Sequence, residues 1–327
     1  MASVAEIKEG KFGFTKMSKE TTTDDVEDIT SPVVVATIQS LHSRLQDERT
    51  KYQLKHWLNN VCKFVLIDET QAVGTNIWES VLNECHAPLR IGLSATPNRT
   101  DGAKIKINAQ TGPVLYSTTA EEQIEKGRLC ELDIQYRVFD HKLYNEKDGD
   151  IQYQEAYRNW IVENVERNNE VLKAAFEMLE EERFVLVLIN FVDHGFILRD
   201  MFIRTGMAPN EVRFIYGSTA DEVRKIAIQE FRKGEFKILI GSTIFDVGVN
   251  IPAISGVVLA GAGNSEITHI QRIGRGARNA DYEEILGYLP EFMKKEHGKK
   301  VTKVVDFMDT NVKFFTKQSW NRYKITI

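Results

Sequence analysis

Short apolar runs rich in Val, Ile and Leu alternate along this chain with longer segments whose apolar positions recur at helical spacing. That alternation predicts α/β units on parallel sheets. In the first part the predicted strands are Val33–Ala36, Lys63–Ile67 and Leu89–Leu93, with helices over Thr50–Asn59 and Asn76–Glu84. In the second part strands are predicted over Phe184–Asn190, Arg213–Tyr216, Phe236–Gly241, Gly256–Ala260 and Val301–Phe307. Helices there span Asp193–Thr205, Asp221–Lys233, Glu266–Arg278 and Thr310–Tyr323. The middle holds a short helix over Thr118–Lys126 stopped by Gly127, a strand over Leu132–Phe139, a polar loop at Asn145–Asp150 and a long charged helix over Gln152–Glu181. The expected organisation is a first domain over residues 1–140, a linker and helix over 141–180, and a second domain over 181–327. A doubly wound nucleotide-binding domain opens with a strand and a phosphate-cradling loop. Only three clear strands precede the linker, so the first domain is expected to be incomplete on its N-terminal side.

Composition narrows the class. A chain of 327 residues has room for two domains, each with its own core, and 42% hydrophobic with 27% charged content suits a soluble globular protein. A formal charge of −5 gives no global basic field, which leaves any nucleic-acid partner to a local groove. Residues 261–327 hold 12 Lys+Arg against 8 Asp+Glu, an excess that a solvated surface explains equally well. Cys62, Cys85 and Cys130 fall in no metal-ligand spacing and read as buried thiols in a reducing compartment. No apolar run reaches the roughly 18–20 residues of a membrane span, and Met1 to Lys19 lacks an apolar signal core. A cytoplasmic protein is expected, nuclear if the source is eukaryotic, with no membrane partner.

Two segments carry the chemistry. Phe64-Val-Leu-Ile-Asp-Glu-Thr-Gln71 is an apolar strand ending in adjacent carboxylates, placed where parallel sheets bind ligands. Asp68 is assigned to a magnesium ion through water, and Glu69 to orienting and deprotonating an attacking water. Gln71, with Thr70, suits sensing of a terminal phosphate. Taken alone, the segment reads equally as the start of a surface turn. Gln271-Arg-Ile-Gly-Arg-Gly-Ala-Arg278 puts Gln271, Arg275 and Arg278 at i, i+4 and i+7, one face of a helix. There Gln271 suits holding the nucleotide, while Arg275 and Arg278 meet the terminal phosphates as an arginine finger does. A contact to a nucleic-acid backbone or a solvated basic helix is the bland alternative.

Ser94-Ala-Thr-Pro97 follows the next apolar strand, 26 residues after Asp68. Ser94 and Thr96 suit a link between nucleotide state and the second domain, against ordinary capping. In Gly241-Ser-Thr-Ile-Phe-Asp-Val-Gly-Val-Asn-Ile-Pro252, Thr243 offers a hydroxyl to a nucleic-acid phosphate and Gly248 allows close backbone approach. Asp246 or Asn250 there suits a ribose hydroxyl, and a plain strand-to-loop turn is the default. Thr37 and Gln39, just past a strand, suit a nucleic-acid backbone or a helix cap. His86, His194 and His269 have no partner spacing and read as structural. No segment fits G-x-x-x-x-G-K-[ST], the loop that cradles phosphates.

Together these segments resemble, in order and roughly in spacing, the superfamily-2 helicases and translocases. Asp68–Gln71 resembles motif II, Ser94-Ala95-Thr96 motif III, Phe184–Asn190 motif IV, Thr243–Pro252 motif V, and Gln271–Arg278 motif VI. Ala36–Leu41 is similar to the segment called Ib or Ic. Gly92-Leu-Ser-Ala-Thr-Pro-Asn-Arg-Thr-Asp-Gly102 and the tail from Gly298 to Arg322 are most similar to the group of repair and branch-migration DNA helicases and restriction-enzyme motors. The resemblance covers nearly the whole chain. It implies two RecA-like parallel-sheet domains, with ATP and Mg2+ in the cleft between them and a DNA strand across both. ATP binding would close that cleft and hydrolysis reopen it.

The chain departs from the family in Gln71, where His is commoner, in Asn250, where many relatives carry Asp, and in lacking motifs I and Ia. The implied function is an ATP-dependent DNA helicase or translocase in repair, recombination or replication. A non-catalytic DNA-binding relative and the motor part of a restriction enzyme are the alternatives. Without the P-loop the chain alone is expected to hydrolyse ATP negligibly, needing that loop from an N-terminal part or a separate polypeptide. Only the family resemblance prefers DNA, double-stranded or branched, over RNA.

Overall fold

The computed structural model describes residues 4–8, 11–15, 33–94, 104–141, 152–242, 254–263, 274 and 301–326. The chain divides into two compact units, Met1–Ser117 and Thr118–Ile327.

In the first unit β1 (Val4–Lys8) and β2 (Lys11–Thr15) form an antiparallel hairpin, and β3 (Val33–Ala36) lies parallel to β1. The apolar pattern does not predict this hairpin, because Glu6 and the flanking lysines interrupt any apolar run. α1 (Ile38–Gln46) begins at Thr37, whose Oγ1 accepts from the Ser40 N–H at 3.2 Å. α2 (Lys51–His56) runs on into a π-helical turn at Trp57–Val61. Next come β4 (Phe64–Ile67), a 3-10 turn at Thr70–Gly74, α3 (Asn76–Leu82), β5 (Leu89–Gly92) and α4 (Lys104–Thr111). β4 and β5 pair in parallel, Phe64 opposite Leu89 and Ile67 opposite Gly92. One side of this pair is packed: Val65 lies on a cluster of Leu45, Leu54, Leu58, Val81 and Cys85, and Ile67 joins Val73, Leu82 and Ile107.

The second unit comprises α5 (Ala120–Glu125), β6 (Leu132–Asp140), α6 (Tyr153–Tyr157) with a π-helical turn at Arg158–Val162, α7 (Val165–Glu180), β7 (Val185–Leu188), α8 (Val192–Arg204), β8 (Val212–Ile215), α9 (Asp221–Lys233), β9 (Ile238–Gly241), β10 (Gly256–Leu259), β11 (Thr302–Thr310) and α10 (Lys313–Thr326). Its six strands lie in the order β6-β11-β10-β7-β9-β8, all parallel. Strand alternation feeds two cores. Val185, Val187, Ile238 and Ile240 face Val171, Met178, Leu198 and Phe202, while Leu186, Leu188 and Leu239 face Ala227, Phe231 and Phe236. Both faces are therefore buried, which suits strands apolar at every position. α9 ends at Gly234, φ 76°, where the Glu235 N–H donates to Glu230 O at 3.0 Å.

Two expectations shift. β6 pairs with β11 along its length, Leu132 opposite Thr302 through Asp140 opposite Thr310, so residues 118–140 fall in the second unit and the division comes before residue 140. The long helix predicted over Gln152–Glu181 is broken, because the Asn164 side chain accepts from the Arg167 N–H at 3.0 Å and starts α7 afresh. Cys62, Cys85 and Cys130 are buried thiols. Among the described residues no helix is long and apolar enough to cross a membrane.

Candidate functional site

β4 delivers Asp68 and Glu69 to its carboxyl end, beside the carboxyl end of its parallel neighbour β5. The chain turns sharply there. Glu69 takes left-handed angles, φ 51° and ψ 50°, a conformation costing about 1–2 kcal/mol for a residue with a Cβ. Buried Thr70 holds the turn: its N–H donates to Leu93 O at 2.9 Å, and its hydroxyl lies 2.8 Å from Leu93 O and 3.1 Å from Ile67 O. A Cβ at Gly92 would stand 2.6 Å from Thr70 Oγ1, so the close approach of Thr70 depends on a glycine opposite.

Asp68 is exposed, and its Oδ1 accepts from the Glu69 N–H at 2.9 Å. Glu69 is half-buried and accepts at Oε2 from Gln71 Nε2. Gln71 is buried, and its Oε1 accepts from Ser94 Oγ at 2.6 Å. An amide turned this way serves both neighbours, donating to a carboxylate and accepting from a hydroxyl. The run Glu69–Gln71–Ser94 thus ties the ends of β4 and β5 together through side chains.

Of the residues singled out from the sequence, Asp68, Glu69, Gln71 and Ser94 come together at one sheet end. Thr37 and Gln39 open α1 in the same unit. Gln39 is exposed, while Thr37 works as a helix cap and its hydroxyl also donates to Ser40 Oγ at 2.8 Å. Thr96, Thr243, Asp246, Gly248, Asn250, Gln271, Arg275 and Arg278 lie outside the described residues, as does the predicted helix over Glu266–Arg278 except for helical Gly274. Among the described residues no cluster of three or more His, Cys, Asp or Glu gathers to hold a metal. An exposed single carboxylate at Asp68 does fit magnesium held chiefly by nucleotide phosphates and water, its common mode of binding.

The second unit contains a buried clamp that sequence reading missed. Arg167 Nη1 donates to Ala260 O at 2.7 Å, Tyr157 OH to Ala262 O at 3.2 Å, and Arg322 Nη1 to Gly263 O at 2.9 Å; Asn190 Nδ2 also reaches Ala262 O. Arg167 further makes a two-pronged pair with Asp309, at 2.7 and 3.0 Å, and Asp309 accepts from His141 Nε2 at 3.0 Å. Burial works against the Asp309 charge, but Arg167 and His141 override it and hold the carboxyl below its usual range. His194 sits 2.8 Å from Asn168 Oδ1, and burial, then the Arg167 charge, push it down to about 3. It is neutral and structural, as its sequence context suggests. The available signal was the phase of Arg167 and Asn168, which share the buried stripe of α7 with Val171, Ala175 and Met178.

The parallel sheets, with a carboxylate pair at a strand's carboxyl end, define a RecA-like α/β protein. A fragment of an HsdR subunit of a type I restriction enzyme from Vibrio vulnificus shares that fold, with a TM-score of 0.62, 19% identity, and coverage of 92% of this chain and 52% of the other. Residues 3–99 match the family described as type III restriction enzyme, res subunit, and residues 167–280 match the helicase conserved C-terminal domain. IRC3 of Saccharomyces cerevisiae, named as an ATP-dependent helicase, is 28% identical over 262 residues, 78% of this chain. The DNA 3'-5' translocase XPB2 of Sulfurisphaera tokodaii is 24% identical over 289 residues, 80% of this chain. These two family matches and the relatives support a superfamily-2 helicase or translocase. It spans 36% of the length of IRC3 and 63% of XPB2.

Proposed function

We propose that this chain acts as an ATP-dependent DNA translocase or helicase in repair, recombination or replication. The observation that carries the reading is the Glu69–Gln71–Ser94 run beside exposed Asp68, at the carboxyl ends of two parallel strands. The names of the relatives, an ATP-dependent helicase and a DNA translocase, support it.

Magnesium-ATP, when bound, supplies an activated terminal phosphoryl group. Asp68, exposed at the strand end, would hold the magnesium ion. Glu69 orients the attacking water and takes its proton, with Gln71 fixing the carboxylate by its amide. Ser94 shares that amide, so a change at the phosphates passes from β4 to β5 through a single side chain. Thr96 is the second hydroxyl assigned to that coupling. Gln271 grips the nucleotide while Arg275 and Arg278 meet the charge that develops on the phosphoryl oxygens. Thr37, Gln39 and Thr243 contact the DNA backbone, and Gly248 and Asn250 line the nucleotide side. DNA is preferred over RNA on the grounds of the translocase relative's name.

No G-x-x-x-x-G-K-[ST] occurs in these residues, which leaves the phosphate-cradling loop unassigned. The 327-residue chain alone is therefore expected to release no phosphate above blank with or without DNA; clear DNA-stimulated turnover would sink that requirement. Once the loop is supplied, Glu69→Gln is expected to cut turnover by about 10²–10⁴-fold while leaving the affinity for a fluorescent ATP analogue unchanged. Equal loss of affinity and turnover would remove Glu69 from the role of base.

A further inference from the structure

We propose that Cys85 is a site of oxidation by small hydroperoxides, with Cys62 as the thiol that resolves it into a disulfide. Neither sulfur belongs to the carboxylate site, so the assignment goes beyond the ATP-hydrolysing reading. Cys62 closes the π-helical turn at Trp57–Val61 just ahead of β4, and Cys85 follows α3 just ahead of β5. Because the two strands are parallel with Phe64 opposite Leu89, both cysteines fall at the amino end of the pair, away from Asp68, Glu69 and Ser94. Backbone hydrogen bonds fix the approach: the Cys62 N–H donates to Trp57 O at 2.9 Å, and the His86 N–H to Leu58 O at 3.2 Å. Both side chains pack in the cluster of Leu45, Leu54, Leu58 and Val81. There the Cys62 thiol donates a hydrogen bond to the Cys85 sulfur.

Buried cysteines often do no more than pack. Two features set this pair apart. Cys85 lines a cavity of about 560 Å³ together with Asn83, His86, Arg90 and Gln110, all within the first unit. Arg90 is fixed there: its Nη1 donates to Gln110 Oε1 at 2.7 Å, and its Nη2 to Leu82 O at 3.1 Å and to Cys85 O. The second feature is how the pair divides its protons. The hydrogen bond from Cys62, then the Ala87 N–H, Arg90 and His86, outweigh burial and bring Cys85 down to about 6. Cys62 is pushed up by the same hydrogen bond and then by burial. One sulfur is thus a thiolate near neutral pH while the other keeps its proton, the division between an attacking and a resolving thiol.

Size selects the oxidant. Cys85 is 1% exposed and Cys62 8%, so a bulky disulfide cannot line up with either sulfur, whereas hydrogen peroxide is near water in size and enters by the cavity. The Cys85 thiolate attacks one peroxide oxygen and the O–O bond breaks. The sulfur is oxidised to a sulfenic acid, and the other oxygen leaves as hydroxide, neutralised by the proton Cys85 had given up. The Cys62 sulfur then attacks the Cys85 sulfur, forming the S–S bond, and its proton departs with the sulfenic hydroxyl as water. One peroxide is consumed and the dithiol is oxidised by two electrons. The ring so closed runs from residue 62 to residue 85 and contains β4, Asp68, Glu69 and Gln71. It pins the amino ends of two strands whose carboxyl ends are already tied through Gln71. Cys130, in the second unit with its Sγ 3.4 Å from Thr302 Oγ1, is the internal control.

The test treats the full chain with hydrogen peroxide, quenches and unfolds it, alkylates the remaining thiols and maps the peptides by mass. A cross-linked Cys62–Cys85 pair is expected, lighter by two hydrogens, reversed by dithiothreitol, and formed at least about tenfold faster than any oxidation of Cys130. Glutathione disulfide in place of peroxide is expected to react at least about tenfold more slowly. Cys62→Ala should gain oxygen at Cys85 and form no cross-link, while Cys85→Ala should leave Cys62 reduced. Unchanged hydrogen exchange in β4 and α3 shows that each variant is folded, and the map of the unaltered chain decides the matter if one is not. Cys62 and Cys85 both still alkylated once Cys130 is oxidised, a cross-link between two copies of the chain, or a glutathione adduct formed as fast as the peroxide product would each overturn the assignment. So would oxygen gained at Cys62 in Cys85→Ala with Cys85 unchanged in Cys62→Ala.

Discussion

β4 and β7 are both four-residue parallel strands, Phe64-Val-Leu-Ile67 and Val185-Leu-Val-Leu188, and both are apolar at every position. Their fates differ. β7 lies at the middle of a six-stranded sheet with both faces packed, whereas β4 has one packed face and one open. A run apolar throughout is the pattern of a strand buried on two sides. β4 carries that pattern with Phe64 and Leu66 about half exposed. The second unit carries its own cover, with α7 and α8 on one side and α9 on the other, and holds an arginine–aspartate pair sealed inside. The carboxylate chemistry sits on the less finished of the two platforms.

The largest effect should come from breaking the finished one. Arg167→Ala takes from buried Asp309 its two-pronged guanidinium partner, leaving His141 as the hydrogen-bonding side chain beside the carboxylate, and frees the Ala260 carbonyl. A loss of about 3–5 kcal/mol is expected for a buried pair broken on one side, read as the urea midpoint of the second unit. A loss below about 1 kcal/mol would mean that water reaches Asp309 and that the contrast in burial is overstated.

Acid should separate the units next. The His194 ring, down at about 3, stays neutral in the fold while the unfolded chain takes up a proton near 6.5. The unfolded state therefore binds more protons between those values, and stability falls as pH drops below about 6.5, by up to ~1.4 kcal/mol per pH unit. The depressed Asp309 carboxyl, whose contribution is present above its unfolded value, adds a further loss at still lower pH. His194→Gln keeps a donor for Asn168 and is expected to flatten the limb between about pH 6 and 4. An unchanged slope in a pH series of urea melts would assign the acid sensitivity elsewhere.

What the sequence made legible follows the same division. Strands of the second unit were readable because burial on both faces demands unbroken apolar runs, and α9 because Asp221-Glu222 opens it and Gly234 closes it. The break at Asn164 was hidden, since a polar residue in a charged helix gives no contrast until its side chain is seen accepting from the Arg167 N–H. The β1–β2 hairpin was hidden for lack of an apolar run. At the site, Asp68-Glu69 and Ser94 were readable as polar groups following two apolar strands, and parallel register brings them side by side. The bridge through Gln71 was not, because which end of an amide faces which neighbour is decided by the turn at Glu69 and not by spacing. The Arg167 clamp was legible only as a charge out of place in an apolar stripe.

A smaller effect is expected at that bridge. Ser94→Ala removes the hydroxyl that donates to Gln71 Oε1. In the completed enzyme, DNA stimulation of ATP turnover should fall by roughly 2–10-fold, the worth of one such bond at about 0.5–1.5 kcal/mol, with the rate without DNA little changed. Loss of both rates together would place Ser94 in support of the fold and not in the link between strands.

The smallest effect is the most diagnostic. Leu66→Ala in the chain alone removes a side chain that is already half in water, so a change within about 0.5 kcal/mol is expected. The equivalent truncation on the covered strand, Leu186→Ala, should cost about 2–5 kcal/mol. Urea melts of the two variants give the two costs directly. A Leu66→Ala cost as large as that of Leu186→Ala would show that the outer face of β4 is packed in solution, and the contrast between the two strands would then fall.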